Sequence, residues 1–207
     1  MVKADILENL KQITPEEQEI IDGEKKINRD IYMLGRDNTV NSKKLLDEGK
    51  LITMRKHTRF IYFPEHTHDY IELIYMCQGS TTHIVEGKEI KLRKGELLFL
   101  GQGIRHSIKK AEENDIAVNF IVLPHFFSDT LYAMGEEESP IKRFFVNCLC
   151  GNNSNNYLHY NVSDIIEVQN LMENFILIVM GDKPNKRKQL QMTMALIVMQ
   201  RICHTDK

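Results

Sequence analysis

The stretch PEHTHDYIELIYMCQG, Pro64–Gly79, decides how the rest of this chain is interpreted. Its two histidines, His66 and His68, are separated by one residue, so on a β-strand both side chains point to the same face. Glu72 lies on that face as well, provided that the strand continues regularly through Tyr70. The segment therefore predicts strand structure that directs two imidazoles and one carboxylate toward a common point.

A second informative segment, GELLFLGQGIRHSIK at 95–109, brings His106 to the end of a glycine-rich turn. Three imidazoles and one carboxylate, with room for water or substrate, suit Fe, Mn, Ni, Cu or Zn. The alternative is a polar cluster that lines a ligand pocket, in which these side chains bond one another and the ligand. The residues that could play either role are His66, His68, Glu72 and His106.

Short apolar runs separated by glycines fill the region around these residues, from about Arg59 to Leu123. Runs of this kind are typical of antiparallel strands. Glu86-Gly87 has the form of a two-residue hairpin turn, in which glycine supplies a positive φ. The region therefore predicts a small antiparallel sandwich or barrel.

Helical patterns flank this β region. Thr14, Pro15 and Glu17 form a helix-start signature, and a second helical pattern begins at Ser163 and stops at Gly181. A last helix, from about 185 to 204, is apolar on more than one side and therefore needs two partners. We expect one of them to be the same helix of a second subunit. The predicted parts are a helix and arm at 1–56, a β-barrel at 57–125, an irregular crossing at 126–162 and a two-helix dimerisation segment at 163–207.

Composition narrows the class of protein. The chain has 207 residues, of which 42% are hydrophobic and 27% charged, which excludes a disordered chain. A formal net charge of -2 lacks the basic excess that DNA-backbone binding requires. Four cysteines are too few for a disulfide scaffold, and neither a signal peptide nor a membrane-spanning segment is evident. We expect a cytoplasmic protein.

The two histidine segments resemble the motifs of the cupin superfamily. Its first motif, two histidines, a glutamate and a closing glycine, is matched up to Gly79, and its second is matched at Gly95, Gly103 and His106. Gly101 stands where the second motif has proline, and Lys110 stands where it often ends in asparagine. The resemblance implies a double-stranded β-helix barrel and a possible metal held by the four candidate residues.

The segment from His66 to Ile108, followed by an irregular crossing and two helices, resembles the N-terminal half of AraC-type bacterial transcription regulators. The resemblance implies a mainly β cupin barrel that binds a small-molecule effector, with an N-terminal helical arm and two antiparallel C-terminal helices that form a homodimer. DNA would be contacted only through a C-terminal helix-turn-helix domain outside this chain.

Among the remaining residues, Tyr62 shares the parity of the histidines and is predicted to touch the effector at the barrel mouth. The parity of their neighbours predicts that Arg59 and Arg105 point outward, so no arginine is assigned to the interior. His57, His83, His125 and His159 have no partner at ligand spacing and are given no role.

Two functions follow from these expectations. The first is a sensor, in which an effector near the four polar residues biases the arm or the C-terminal helices. The second is a metal-dependent cupin enzyme, a dioxygenase or isomerase, in which Zn, Ni, Fe or Mn is held by His66, His68, Glu72 and His106. We favour the sensor, without enzymatic activity, because it explains the helices around the barrel.

Overall fold

Ten strands form two five-stranded sheets in the computed structural model, which describes residues 4–136, 138–151, 157–181 and 186–200. The first sheet has the order β1-β3-β8-β5-β6, and the second has the order β10-β7-β4-β9-β2. All pairings within the sheets are antiparallel except that of β1 with β3. The strands are β1 (Thr39–Val40), β2 (Ile52–Lys56), β3 (Phe63–His68), β4 (Ile71–Gln78), β5 (Ser80–Val85), β6 (Lys88–Arg93), β7 (Glu96–Leu100), β8 (His106–Ile108), β9 (Ile116–Val122) and β10 (Tyr157–Asn161).

Eight α-helices surround the sheets in the described residues. The two longest are α7 and α8, which pack against each other. The helices are α1 (Ala4–Lys11), α2 (Pro15–Ile21), α3 (Arg29–Tyr32), α4 (Ser42–Leu45), α5 (Ser128–Ala133), α6 (Pro140–Leu149), α7 (Ile166–Met180) and α8 (Lys186–Met199), with a 3-10 helix at Pro124–Phe127.

The second sheet is buried on both faces, and its side chains alternate between two cores. In β4, Leu73 and Tyr75 belong to the core that the helices cover, whereas Ile74 and Met76 face the interior between the sheets. Because both faces of β4 are buried, its sequence is a nearly continuous apolar run. Glu72, next in the inward row, is thereby directed into the interior.

The predicted hairpin turn at Glu86-Gly87 and the predicted helix start at Thr14 are both present. Glu86 and Gly87 have φ values of 45° and 78°, which is the left-handed geometry that a two-residue hairpin turn requires. At the start of α2, the Thr14 hydroxyl accepts a bond from the Glu17 amide, and the Glu17 carboxylate accepts one from the Thr14 amide. Both predictions are confirmed.

The sheets extend beyond the predicted barrel at 57–125. β2 lies before residue 57, and β10 lies within the predicted crossing, where it pairs with β7. α7 begins at Ile166 rather than Ser163, because the Ser163 hydroxyl bonds the Asn161 side chain instead of capping the helix, and it ends at Gly181 as predicted. Position 204, where the last helix was predicted to end, lies outside the described residues.

The prediction for Arg59 is wrong. Its side chain is buried, with the Arg59 Nε and one Nη bonded to the two Glu17 oxygens at 2.7 and 3.0 Å. Sequence parity failed because Arg59 lies in an irregular segment after β2. Arg105, in contrast, is exposed as predicted.

In the portion of the chain that the structure describes, no helix has the length and apolar character needed to cross a bilayer.

Candidate functional site

The inward row of β3 supplies His66 and His68, and β8 supplies His106 from the neighbouring position. His66 pairs directly with His106 across the two strands, and their ring centres are 4.0 Å apart. The chain bends at residues 69–70 before β4 begins, so the strand is not continuous through Tyr70. Glu72 nevertheless joins the histidines, because β4 directs it inward.

Asn119 fixes the Glu72 carboxylate. The Asn119 amide nitrogen donates to Glu72 Oε1 at 2.9 Å, and the Asn119 oxygen accepts a bond from His57 Nδ1 at 3.1 Å. The second carboxylate oxygen, Glu72 Oε2, is buried without a hydrogen-bond partner in the described structure, 3.5 Å from His106 Nε2. This relay holds one oxygen in place and leaves the other directed at His106.

Three of the four predicted residues form a compact group: His68, Glu72 and His106 each offer one ligand atom, and these atoms lie within 4.8 Å of one another. His68 Nδ1 donates to the Tyr70 carbonyl at 2.6 Å, which leaves His68 Nε2 buried and unpartnered. His66 lies beside this group with its ring tilted by 54° against that of His106, and its Nδ1 donates to the Pro64 carbonyl at 2.8 Å.

Burial keeps these imidazoles neutral. It lowers the pKa of His66 and His68 to about 3 and that of His106 to about 4, because the interior disfavours the charged form. A neutral imidazole whose Nδ1 donates to a carbonyl presents its Nε2 lone pair, which is the usual arrangement of a metal-binding histidine. The group therefore fits a divalent transition metal as well as a polar ligand.

A cleft leads to Glu72 of this group and to the adjacent His66, whereas His68 and His106 are not among its lining residues. It lies between the two sheets and the N-terminal arm, and apolar side chains form much of its wall. Its lining consists of Tyr32, Val40, Leu45, Arg55, Lys56, His57, Thr58, Ile61, Phe63, His66, Tyr70, Glu72, Ile108, Asn119 and Ile121.

The structure does not bring Tyr62 into this cleft. Its side chain is 51% exposed and lies outside the lining residues. Tyr62 follows Phe60, whose φ of 70° interrupts the extended backbone before β3 begins. The strand parity that predicted an inward Tyr62 therefore does not apply there.

Sequence reasoning missed four polar residues of the interior. Arg55 faces inward from β2 opposite Asn119 of β9, and His57 follows on the same face. His83 is fully buried on β5, where it bonds the Thr81 hydroxyl at 3.0 Å. Arg55 was missed because β2 was assigned to the arm, and Asn119 was missed because its contact with Glu72 depends on the pairing of β9 with β4. His57 and His83 were given no role because neither has a partner at ligand spacing, although the alternation of STTHIV was an available signal that His83 is buried.

Comparison with known proteins supports the same reading. Residues 49–142 match the AraC-like ligand binding domain family. The HTH-type transcriptional activator RhaR of Escherichia coli strain K12 is 30% identical over 60 residues, which are 29% of this chain and 21% of RhaR. The chain thus matches about a fifth of the length of this curated relative.

The fold is similar to that of an apo ToxT variant from Vibrio cholerae. The TM-score is 0.50 at 12% sequence identity, over 72% of this chain and 55% of the ToxT chain. Together with the two facing sheets, this likeness identifies a mainly β cupin fold with helical additions. Residues 49–142 of this chain, which include both histidine segments, are therefore similar to the AraC-like ligand binding domain family.

Proposed function

We propose that this domain binds a small-molecule effector in the cleft and thereby regulates transcription as part of an AraC-type regulator. Most of the residues that line the cleft lie within 49–142, the range that is similar to a ligand-binding domain family, and this similarity supports the proposal. The cleft also has the character of a ligand site, since apolar walls surround a few convergent polar groups.

One observation supports a coupling between ligand binding and the arrangement of the arm: residues of both the arm and the sheets line the cleft. Tyr32 and Leu45 come from α3 and α4 of the arm, and Val40 comes from β1, the edge strand that the arm adds to the first sheet, whereas Ile108 and Ile121 come from β8 and β9. A ligand that touches both parts has a different affinity for each arrangement of the arm. It would therefore shift the equilibrium between those arrangements.

Dimerisation is the second part of the proposal. Met192, Leu196 and Met199 are 50 to 60% exposed and follow one another along α8 at steps of four and three. This spacing forms an apolar stripe of the kind that packs against a second helix. We assign the stripe to the same helix of a second copy, and we expect DNA contact from a helix-turn-helix part outside residues 1–207.

The compact polar group favours a second candidate function, that of a metal-dependent enzyme. A divalent transition metal would be held by His68, Glu72 and His106, with His66 adjacent, and would supply Lewis-acid chemistry to a bound substrate. If a metal is held there, His106→Ala should remove it from the purified protein. Unchanged metal content would contradict the ligand assignment.

A thermal-shift screen of sugars, organic acids and amines tests the sensor proposal. The wild type should be stabilised by at least one compound, and Ile61→Trp, which fills the mouth of the cleft, should lose that response. An Ile61→Trp protein with an unchanged unfolding midpoint and an unchanged response would contradict binding in the cleft. Turnover of a compound by the metal-loaded protein would favour the enzyme instead.

A further inference from the structure

The cleft contains an arginine whose hydrogen-bonding capacity is largely unused. Arg55 lines the cleft with its side chain 34% exposed. Within the described chain, the hydrogen bonds of its guanidinium all involve Nη2, which lies 3.4 Å both from Glu16 Oε2 and from the Tyr32 hydroxyl. These are long contacts, so Arg55 Nε and Nη1 keep their donors for another partner.

Glu16 does not depend on Arg55 for its own hydrogen bonds. The Tyr32 hydroxyl contacts Glu16 Oε1 and Oε2 at 2.8 and 2.6 Å, and the Thr58 hydroxyl lies 3.4 Å from Glu16 Oε2. The guanidinium also lies over the Tyr32 ring, 5.1 Å from its centre. Tyr32 thus holds the Arg55 side chain in position while leaving one of its edges unused.

The other polar groups of the cleft do not offer a free positive charge. The Lys56 ammonium donates to the carbonyls of Asn9 and Gln12 at 2.6 and 3.1 Å, at the end of α1. Burial lowers the pKa of His57 and His66, so both are neutral near pH 7. Among the lining residues, Arg55 is therefore the group suited to bind an anion.

We propose that Arg55 binds a carboxylate of the effector, and that the effector is a small monocarboxylate with a compact apolar body. The planar guanidinium fork matches a carboxylate in geometry and charge. Phe63, Ile108 and Ile121 provide an apolar wall for the rest of the molecule. This inference rests on the proposed function, since it names the chemical class of the effector.

The experiment uses benzoate and hexanoate, each with its neutral amide, as probes of the full chain. Dissociation constants are obtained from the shifts of 15N-labelled amide signals, with the Asn119 side-chain amide and Ile121 as reporters of the cleft. At least one carboxylate should bind wild type about tenfold or more tightly than its amide. Arg55→Gln should remove that preference and change amide binding less than about twofold.

Two further variants test whether the effect is specific to Arg55. Arg105→Gln removes an arginine whose side chain is 63% exposed, and it should leave both affinities unchanged. Glu16→Gln removes the carboxylate that shares Nη2, and it should tighten carboxylate binding. Equal binding of acid and amide, binding that Arg55→Gln leaves intact, or no carboxylate binding would overturn the proposal.

The same experiment distinguishes a wrong effector class from failure of the sensor proposal itself. If sugars or amines shift the cleft signals and carboxylates do not, the effector class is wrong and the cleft is still a ligand site. If no compound of any of these classes shifts them, both proposals are contradicted.

Discussion

At the scale of single residues, the site is a group of neutral histidines around one oriented carboxylate. The motif spacing predicted that His66, His68, Glu72 and His106 converge, and three of them supply the compact group. The sequence could not reveal Arg55 or Asn119, because their positions depend on the pairing of β2 with β9 across more than 60 residues. A motif shows only the spacing of residues that are close in sequence. The remaining residues of the cleft are brought together by the pairing of strands that are distant in sequence.

The buried histidines should make the metal-free protein sensitive to acid. Burial lowers the pKa of His83 well below its usual value, and His57, His106, His66 and His159 add repulsion in their charged forms. Below pH 6.5 the unfolded chain binds protons that folded His83 does not, so stability falls as the pH falls. Replacing His83 should therefore reduce the loss of unfolding free energy between pH 6.5 and pH 5.5 by about 1 kcal/mol.

Urea unfolding of wild type and His83→Gln at both pH values, in the presence of a chelator, measures this loss. His125→Gln is the matched control, because His125 is exposed. A His83→Gln protein with the same pH dependence as wild type would show that His83 is not the group responsible.

At the scale of elements, a buried ion pair helps to attach the N-terminal helices to the rest of the domain. Arg59 binds both Glu17 oxygens, and it also donates to the Lys11 carbonyl of α1 at 3.0 Å and to the Glu113 carbonyl at 2.8 Å. Although burial favours the neutral acid, bonds from Arg59 and Thr14 lower the pKa of Glu17. The capping box was predictable from TPEE, whereas its attachment to Arg59 was not, since parity pointed Arg59 outward.

Glu17→Gln should destabilise the protein by about 3 to 5 kcal/mol, because it leaves the buried Arg59 charge without its partner. Glu8→Gln removes an exposed ion pair with Lys11, and its effect should stay within about 0.5 kcal/mol. The free energy of unfolding in urea measures both changes. Similar small losses in the two variants would contradict a structural role for the buried pair.

The exposed stripe of α8 leads to a prediction at the same scale. Leu196→Lys should convert a two-chain particle into a single chain, because it places a charge in the middle of the apolar stripe. Leu34→Lys, at an exposed leucine of the arm, is the control and should leave the mass unchanged. Sedimentation velocity at micromolar concentration distinguishes the outcomes, and a wild type that sediments as a single chain would contradict the assignment of the stripe.

At the scale of the whole molecule, α7 connects the cleft to the proposed dimer stripe, because it packs against β2, which lines the cleft, and against α8, which carries the stripe. The helices cover the second sheet, whose inward face carries Glu72 and Asn119. The mainly β architecture was predictable from short apolar runs and turn glycines. The places of β2 and β10 at the two edges of the second sheet were not, because each is paired with a strand distant in sequence.

Native mass spectrometry of the chain purified gently from cells tests the sensor proposal most directly. We expect a two-chain particle that releases a small organic molecule on activation, and we expect Ile61→Trp to form the same particle without that molecule. A single chain or a dimer that carries no organic molecule in either protein, together with a stoichiometric metal and turnover of a substrate, would contradict the sensor and support the enzyme.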